Sequence, residues 1–346
     1  MIMKYYLAPM EGITTYVFRH AYHKVYRPMD KYFTPFIVPH TQKGMSAHEW
    51  SELNPENNAG MHVVPQVLTN NAADFVKTAK MLYDYGNTVV NLNLGCPSKT
   101  VVSKGRGSGF LDDPGVLDRF FDDVFMKIDK KVSVKTRIGL ESPLEFEDIL
   151  KVYEKYPLSE LIIHPRLQTD YYKNTPNWEV FQEAVDHSHH KLCYNGDIFS
   201  VEDYRRFMER FPQIDCIMLG RGIVAYPDLV EQIERECAIE VDRAGLNILE
   251  NVSKMDVGLS TCVDDNMRAD KADDAEKYRK LRMFHDLLLE GYKESMSGDR
   301  NVLFKMKEFW SYCQHNFPEQ PKLWKKIKKC EKLVVYDSLI EEVFSN

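Results

Sequence analysis

Short apolar runs, each trailed by an amphipathic segment, recur from the N-terminus to about residue 236. They predict strands near Tyr5–Ala8, Tyr32–Val38, His62–Leu68, Thr88–Leu94, Val132–Thr136, Leu161–His164, Leu192–Tyr194 and Cys216–Leu219. Of the intervening segments, NAADFVKTAKMLYDYG puts Phe75, Ala79, Leu82 and Tyr83 on one helical face. SPLEFEDILKVYEKY offers Ser142 as N-cap and Glu145 three residues on, a capping box. Alternating strands and helices call for a parallel sheet, and eight strands are the number that closes into a barrel. An open doubly wound sheet is the alternative, but no G-x-G-x-x-G follows the first strand. The expected fold is an α/β chain, a (β/α)8 TIM barrel followed by a smaller all-α helical domain.

The tail differs in character. FHDLLLEGYKESM, VLFKMKEFWSYCQ and LWKKIKKCEKLVVYDSLIEEVF read as helices with no strand between them. The expected division is a barrel over 1–237, an acidic connector over 238–283 and a helical domain over 284–346. Within the connector, Ala238–Glu276 carries ten acidic and four basic residues, a net of -6, and reads in part as exposed or flexible chain.

At 346 residues and 44% hydrophobic, the chain can bury a large core. Its N-terminus is apolar only until Pro9 and Glu11, too short a run for a secretory signal. No stretch of roughly 18 consecutive apolar residues suggests a membrane span. Seven cysteines without a C-x-x-C pair fit free thiols in a cytoplasmic protein and give no support to a metal site. A net charge of -7 leaves nucleic-acid binding to a local patch.

In such barrels the reactive residues sit at the C-terminal ends of the strands. Polar groups gather at those positions here. They are Pro9-Met10-Glu11-Gly12, Gln66, Asn91 with Asn93, Cys96, Lys135 with Arg137, His164 with Arg166, Asn195-Gly196-Asp197 and Gly220-Arg221-Gly222. Singly, each has a plain structural reading: a hydrogen-bonded histidine, a turn at N-G-D, a turn at LGRG. Lys135 within VSVKTRIG is harder to dismiss, because a buried ammonium is costly unless it snorkels outward or meets an anion. The glycine-bearing ends NGD and GRG match the phosphate-binding corner of these barrels, where freed N–H groups and Arg221 would hold an anion.

One loop makes the pattern specific. NLNLGCPSKTVVSKGRGSGFLDDP, with APMEGITTYVFR, VKTRIG, IIHPR, NGDI and MLGRGIVAYP in the same order, resembles the tRNA-dihydrouridine synthase family over most of residues 5 to 230. The resemblance implies an FMN oxidoreductase, with NADPH as reductant, that reduces the carbon 5–carbon 6 double bond of uridine in tRNA. By position it implies Cys96 as proton donor, and an unperturbed thiol near pKa ~8.5 is mostly protonated at neutral pH. It implies Pro9, Met10, Gln66, Lys135, His164, Asn195, Asp197, Gly220 and Arg221 as the FMN set, with backbone contact at Gly12. Asn93 is placed like a residue that contacts uracil or flavin. Lys99, Lys104 and Arg106 would form a lid that meets RNA phosphates, and Arg166 would serve either the flavin phosphate or the RNA. The plain alternatives are an inert buried Cys96 and a merely solvated loop.

A stacked uracil must be extruded before a flavin can reach it, at a cost of a few kcal/mol. The tail has the charge to supply binding energy: Arg300–Leu333 carries nine basic and three acidic residues, +6. KLWKKIKKCEKL would turn Leu323, Ile327, Cys330 and Val334 inward and Lys322, Lys325, Lys328, Lys329 and Lys332 outward. FHDLLLEGY and KMKEFWSY resemble the family's helical RNA-binding domain, although a basic face can also be simple solvation. The partner expected is tRNA, met by a monomer without membrane or protein partners. Three other readings stay open: the same reaction on ribosomal RNA, a small-molecule FMN reductase on the same barrel, and an RNA-binding fold without turnover. The wording YFTPFIVPHTQKG departs from the family's usual one, and the acidic connector is longer than the family leads one to expect.

Overall fold

The computed structural model describes residues 2–39, 44–239 and 263–345. Nine strands run parallel: β1 (Lys4–Leu7), β2 (Lys31–Phe33), β3 (Val63–Val64), β4 (Gln66–Val67), β5 (Val89–Leu94), β6 (Lys131–Thr136), β7 (Glu160–Ile163), β8 (Leu192–Tyr194) and β9 (Cys216–Leu219). Their order is β3-β2-β1-β9-β8-β7-β6-β5-β4. The two ends of that order, β3 and β4, are separated in sequence by Pro65 alone, so the sheet returns on itself as a nearly closed barrel of eight strand positions. Proline has no N–H to give the ladder, which is why the expected strand His62–Leu68 is interrupted. Its carbonyl still accepts the Asn91 amide at 2.9 Å. The expected strand Tyr32–Val38 is likewise short, because Pro35 follows Thr34; only an isolated bridge from Ile37 to Val67 resumes it.

Buried parallel strands are apolar on both faces, and VVNLNL of β5 is buried at all six positions. Helices cover the outer face. In the helix Ala72–Asp84, Phe75, Ala79 and Leu82 are fully buried, while Tyr83 is half-buried and donates its hydroxyl to Lys131 O. Asn71 caps that helix through the Asp74 amide at 2.9 Å. In the helix Glu145–Tyr153 only half of the expected capping box forms. Glu145 reaches back to the Leu140, Glu141 and Ser142 amides, but the Ser142 hydroxyl accepts from Leu144 at 3.3 Å rather than from Glu145. Gly139 (φ +136°) makes room for that carboxylate, since a Cβ there would lie 2.5 Å from it.

The chain packs as two compact units: 1–20, 29–197 and 207–220 form one, and 21–28, 198–206 and 221–346 the other. The barrel strands all lie in the first. The second is helical, with the run Val263–Ser295, then Asp299–Cys313, Pro321–Lys329 and Leu333–Phe344. Its core gathers Phe284, edge-on to Tyr26 with centroids 5.5 Å apart, and a polar knot beneath Trp310. There Trp310 Nε1 donates to the Tyr336 hydroxyl, which in turn meets His285 Nε2, both at 2.7 Å. Burial pushes the His285 imidazole below its usual range, so the knot is neutral at pH 7.

Two tail expectations change. Helix begins by Val263 rather than at Phe284, in a stretch too polar to show an apolar stripe; residues 240–262 of the acidic connector lie outside the described residues. Val334 is 78% exposed, because Cys330, Glu331 and Lys332 break the helix and reset its phase. Leu323, Ile327 and Cys330 are buried, and Lys322, Lys325, Lys328, Lys329 and Lys332 are exposed.

Candidate active site

Period-two alternation along β5 turns Asn91 and Asn93 to the side opposite Leu92 and Leu94. These amides join a ladder across adjacent strands. Gln66 Nε2 donates to Asn91 Oδ1 at 2.8 Å, Asn93 Nδ2 donates to Gln66 Oε1 at 2.7 Å, and Asn91 Nδ2 donates to Ser133 Oγ at 2.9 Å. Ser133 was missed from sequence, although it stands two residues before Lys135 and therefore on the same face.

The ladder ends at Cys96. Asn93 Oδ1 accepts both the Gly95 amide (3.0 Å) and the Cys96 amide (2.9 Å), fixing the turn from which the thiol projects. From the other side, Ser108 donates its hydroxyl (2.9 Å) and its amide (3.1 Å) to Cys96 O. Gly107 sits at φ +57°, and a Cβ there would come within 2.7 Å of Cys96 O. The glycine and serine of the G-x-G-S element thus hold the Cys96 backbone; both were missed as positioning residues. Desolvation pushes the Cys96 thiol above its usual range, helped by the Glu11 carboxylate and opposed by Ser98, Arg137 and Lys135. The group is a protonated thiol at neutral pH.

Lys135 is half-buried on β6. Burial, together with the Arg137 guanidinium, lowers its ammonium to about 8. Among the described residues its Nζ has neither a hydrogen bond nor an ion pair, so an ordered anion would find a ready partner there. Arg137, by contrast, is occupied by backbone. It donates to Gly95 O (3.0 Å), Leu167 O (2.6 Å) and Tyr171 O (2.6 Å). Tyr171 is the one non-glycine residue with positive φ (51°) among the described residues, and it brings the half-exposed Tyr172 ring to 6.4 Å from His164.

His164 and Arg166 are buried beside each other. Arg166 Nη1 donates to His164 Nε2 at 3.1 Å, which leaves the neutral imidazole's proton on Nδ1. The same guanidinium pairs bidentately with Asp197 and donates from Nε to Asn174 O at 2.9 Å. Asn195 Nδ2 donates to Met218 O at 2.7 Å. Gly196 is explained by packing: a Cβ there would overlap the Tyr194 hydroxyl, which accepts from Trp178 Nε1 at 2.9 Å.

At the end of β1, the Met10 amide is taken by Thr14 Oγ1 at 2.8 Å, and Pro9 has no amide to offer. Gly12 stands at φ +73°. Gly220 lies against these residues, since a Cβ there would be 3.3 Å from Ala8 Cβ and 3.4 Å from Met10 Sδ. Arg221 belongs to the second unit, where its guanidinium lies 5.4 Å from the Phe199 ring centroid. In that unit Gly222 admits no side chain, because a Cβ would fall 2.1 Å from Ile198 O.

Lys99 and Lys104 are exposed, on and just after the short helix Lys99–Val102. Their segment is anchored by buried Val101 and by Asn70 Nδ2, which donates to Lys104 O at 3.0 Å. Arg106 is half-buried, and its Nε has no hydrogen-bond partner among the described residues.

A protonated thiol, an amide ladder and an unpaired ammonium thus stand at the C-terminal mouth of a parallel (β/α)8 barrel, the face on which enzymes of this fold carry their chemistry. The family model described as Dihydrouridine synthase (Dus) matches residues 6–329. The chain is 31% identical over 239 residues to a tRNA-dihydrouridine(16) synthase of Pseudomonas syringae pv. tomato, covering 67% of this chain and 74% of that one. A probable tRNA-dihydrouridine synthase of Staphylococcus aureus is also 31% identical, over 66% of this chain and 71% of its own. Among solved structures, morphinone reductase in complex with tetrahydroNAD has a TM-score of 0.49 at 11% identity, covering 67% of this chain and 86% of that one. The chain belongs to the dihydrouridine synthase family. It is a flavin-type oxidoreductase that reduces uridine in tRNA. Among the described residues, no helix is long and apolar enough to cross a membrane.

Proposed function

We propose that the chain reduces uridine 16 of tRNA, with FMN as its flavin and NADPH as the reductant that recharges it. The observation that carries the reading is Cys96, a thiol kept protonated by burial and held by Asn93 and Ser108, with unpaired Lys135 on the neighbouring strand. The position is supported by relatives named for uridine 16 at 31% and 30% identity. Bound and reduced, the flavin supplies a hydride to ring carbon 6 of the uracil.

This chain's own residues do the rest. Cys96 gives its proton to carbon 5, becomes a thiolate and regains a proton from solvent. Lys135 faces the flavin's anionic ring end and favours its reduced, charged form. Both lone pairs of Asn93 Oδ1 are in use, which leaves one Nδ2 proton for a uracil carbonyl. Gln66 fixes that amide, while Asn195, Gly220 and the Pro9–Met10 backbone border the flavin. Arg166 is assigned to position His164 and Asp197 rather than to meet substrate, because a guanidinium this buried and this fully hydrogen-bonded has little left to offer RNA. Lys99, Lys104, Arg106 and the exposed lysines of the helical residues 284–346 meet phosphates, so that RNA binding offsets base extrusion. We place the enzyme in the cytoplasm, acting as a monomer.

The test is a map of dihydrouridine in tRNA from cells lacking the chain. Loss at position 16 alone supports the reading. Loss elsewhere refutes the position, and an unchanged map refutes the function.

A further inference from the structure

A second cluster lies at the opposite end of the barrel strands, where the helix Glu145–Tyr153 ends and the chain enters β8. Glu154 caps that helix, and His189 and His190 stand just ahead of β8. One ligand atom from each of the three lies within 4.8 Å of the others. The chain bends at His190 before β8 begins, and the two imidazoles lie with centroids 4.2 Å apart. His189 Nδ1 is hydrogen-bonded to one Glu154 oxygen, and His190 Nε2 is 3.6 Å from the other.

We propose that Glu154, His189 and His190 bind a divalent transition ion of the zinc, nickel or copper class. Two imidazoles and one carboxylate suit these borderline ions, whereas magnesium and calcium prefer oxygen alone. Supporting hydrogen bonds are already in place. Ser188 Oγ donates to Glu154 Oε1 at 2.6 Å, and the His189 amide donates to Oε2 at 3.1 Å, so the carboxylate is aimed before an ion arrives. His190 Nε2 donates to Tyr153 O at 3.0 Å, a bond that ligation through that nitrogen would replace. His190 is buried and His189 is exposed, giving one fixed ligand and one that closes over the ion. Metal–ligand distances near ~2.1 Å require small side-chain rotations from this geometry. The ion would clip the end of that helix to the entry of β8, at the barrel face that carries stability rather than chemistry.

The experiment titrates the full-length, untagged protein with zinc chloride by calorimetry, beside His189→Ala, Glu154→Gln and His187→Ala. One site is expected in the wild type. It should weaken at least about tenfold in the first two variants and persist in His187→Ala. Melting temperature should rise with zinc in the wild type and in His187→Ala, and stay flat in the other two. Equal stoichiometry and affinity in all four proteins would assign any bound zinc to the cysteines and overturn the proposal. A wild type that binds no zinc would overturn it too.

Discussion

The carboxamide of Asn93 holds the Cys96 amide at 2.9 Å, so the residue proposed to deliver the proton is positioned by one three places earlier on the same strand end. Asn93→Ala leaves the Gly95 and Cys96 amides without that acceptor, at about 1–3 kcal/mol of stability by urea unfolding. Turnover should fall at least about tenfold while the KM for tRNA stays near wild type. A variant that loses only stability would leave Asn93 a structural cap.

Gly107→Ala tests the same loop from the far side. A methyl group there meets Cys96 O at 2.7 Å on a backbone at φ +57°, a strain of roughly 1–3 kcal/mol. Dihydrouridine formation should drop with it. Ser108→Ala, which removes one of two bonds to Cys96 O, should be milder, near ~1 kcal/mol.

Lys135→Met is expected to stabilise the fold and weaken the enzyme, since an unpaired ammonium costs stability and, on the proposed reading, serves the flavin. The folded pKa of about 8 lies below the unfolded value of ~10.4, so the charge destabilises the fold at pH 7 and the penalty fades as pH rises between these values. Because the side chain keeps some contact with solvent, the gain at pH 7 is held to the order of 1 kcal/mol. Chemical unfolding at about pH 7 and again above the unfolded pKa measures it, and flavin content should fall in the same variant.

The pH dependence follows from the same two groups. In the flavin-free protein Lys135 loses its charge at about pH 8, so flavin uptake should weaken above that pH, while turnover of the loaded enzyme should decline only as Cys96 gives up its proton. In Lys135→Met the pH dependence of uptake should vanish and that of turnover remain.

The placement of these side chains was legible because strands alternate their faces: period-two spacing alone put Asn91 with Asn93 on one side of the strand. Which of them are occupied elsewhere was not legible. Arg166 and Asp197 stand 31 residues apart and look like two free charges until the fold pairs them. The glycine of N-G-D read as part of a phosphate corner, and its packing reason, the Tyr194 hydroxyl, needs a ring orientation that no spacing reveals. Pro35 and Pro65 were visible, but their interruption of two strands was underweighted against the surrounding apolar residues. The break at Cys330 is local, and a helical wheel carried past it misplaced Val334.

Tail charge, not tail removal, is the clean test of RNA binding. Phe284 is fully buried within its unit, and Cys313 and Asn316 bond to Val224 O and Ala225 O, so truncation would open a core. Substituting Lys325, Lys326, Lys328 and Lys329 with glutamine should weaken tRNA binding and leave flavin in place. The log–log salt slope should become shallower by up to about 3–4, at ~0.9 for each phosphate no longer neutralised. An unchanged slope would make this face a solvated one.

The central claim is proton delivery by Cys96, and the oxidative half-reaction tests it most directly. Reduced enzyme is mixed with tRNA, and flavin reoxidation is followed with dihydrouridine formation in a single turnover. Cys96→Ala should take electrons from NADPH at the wild-type rate but pass them to tRNA roughly 10²–10⁴ times more slowly. Reoxidation of the variant by tRNA at the wild-type rate would contradict the account.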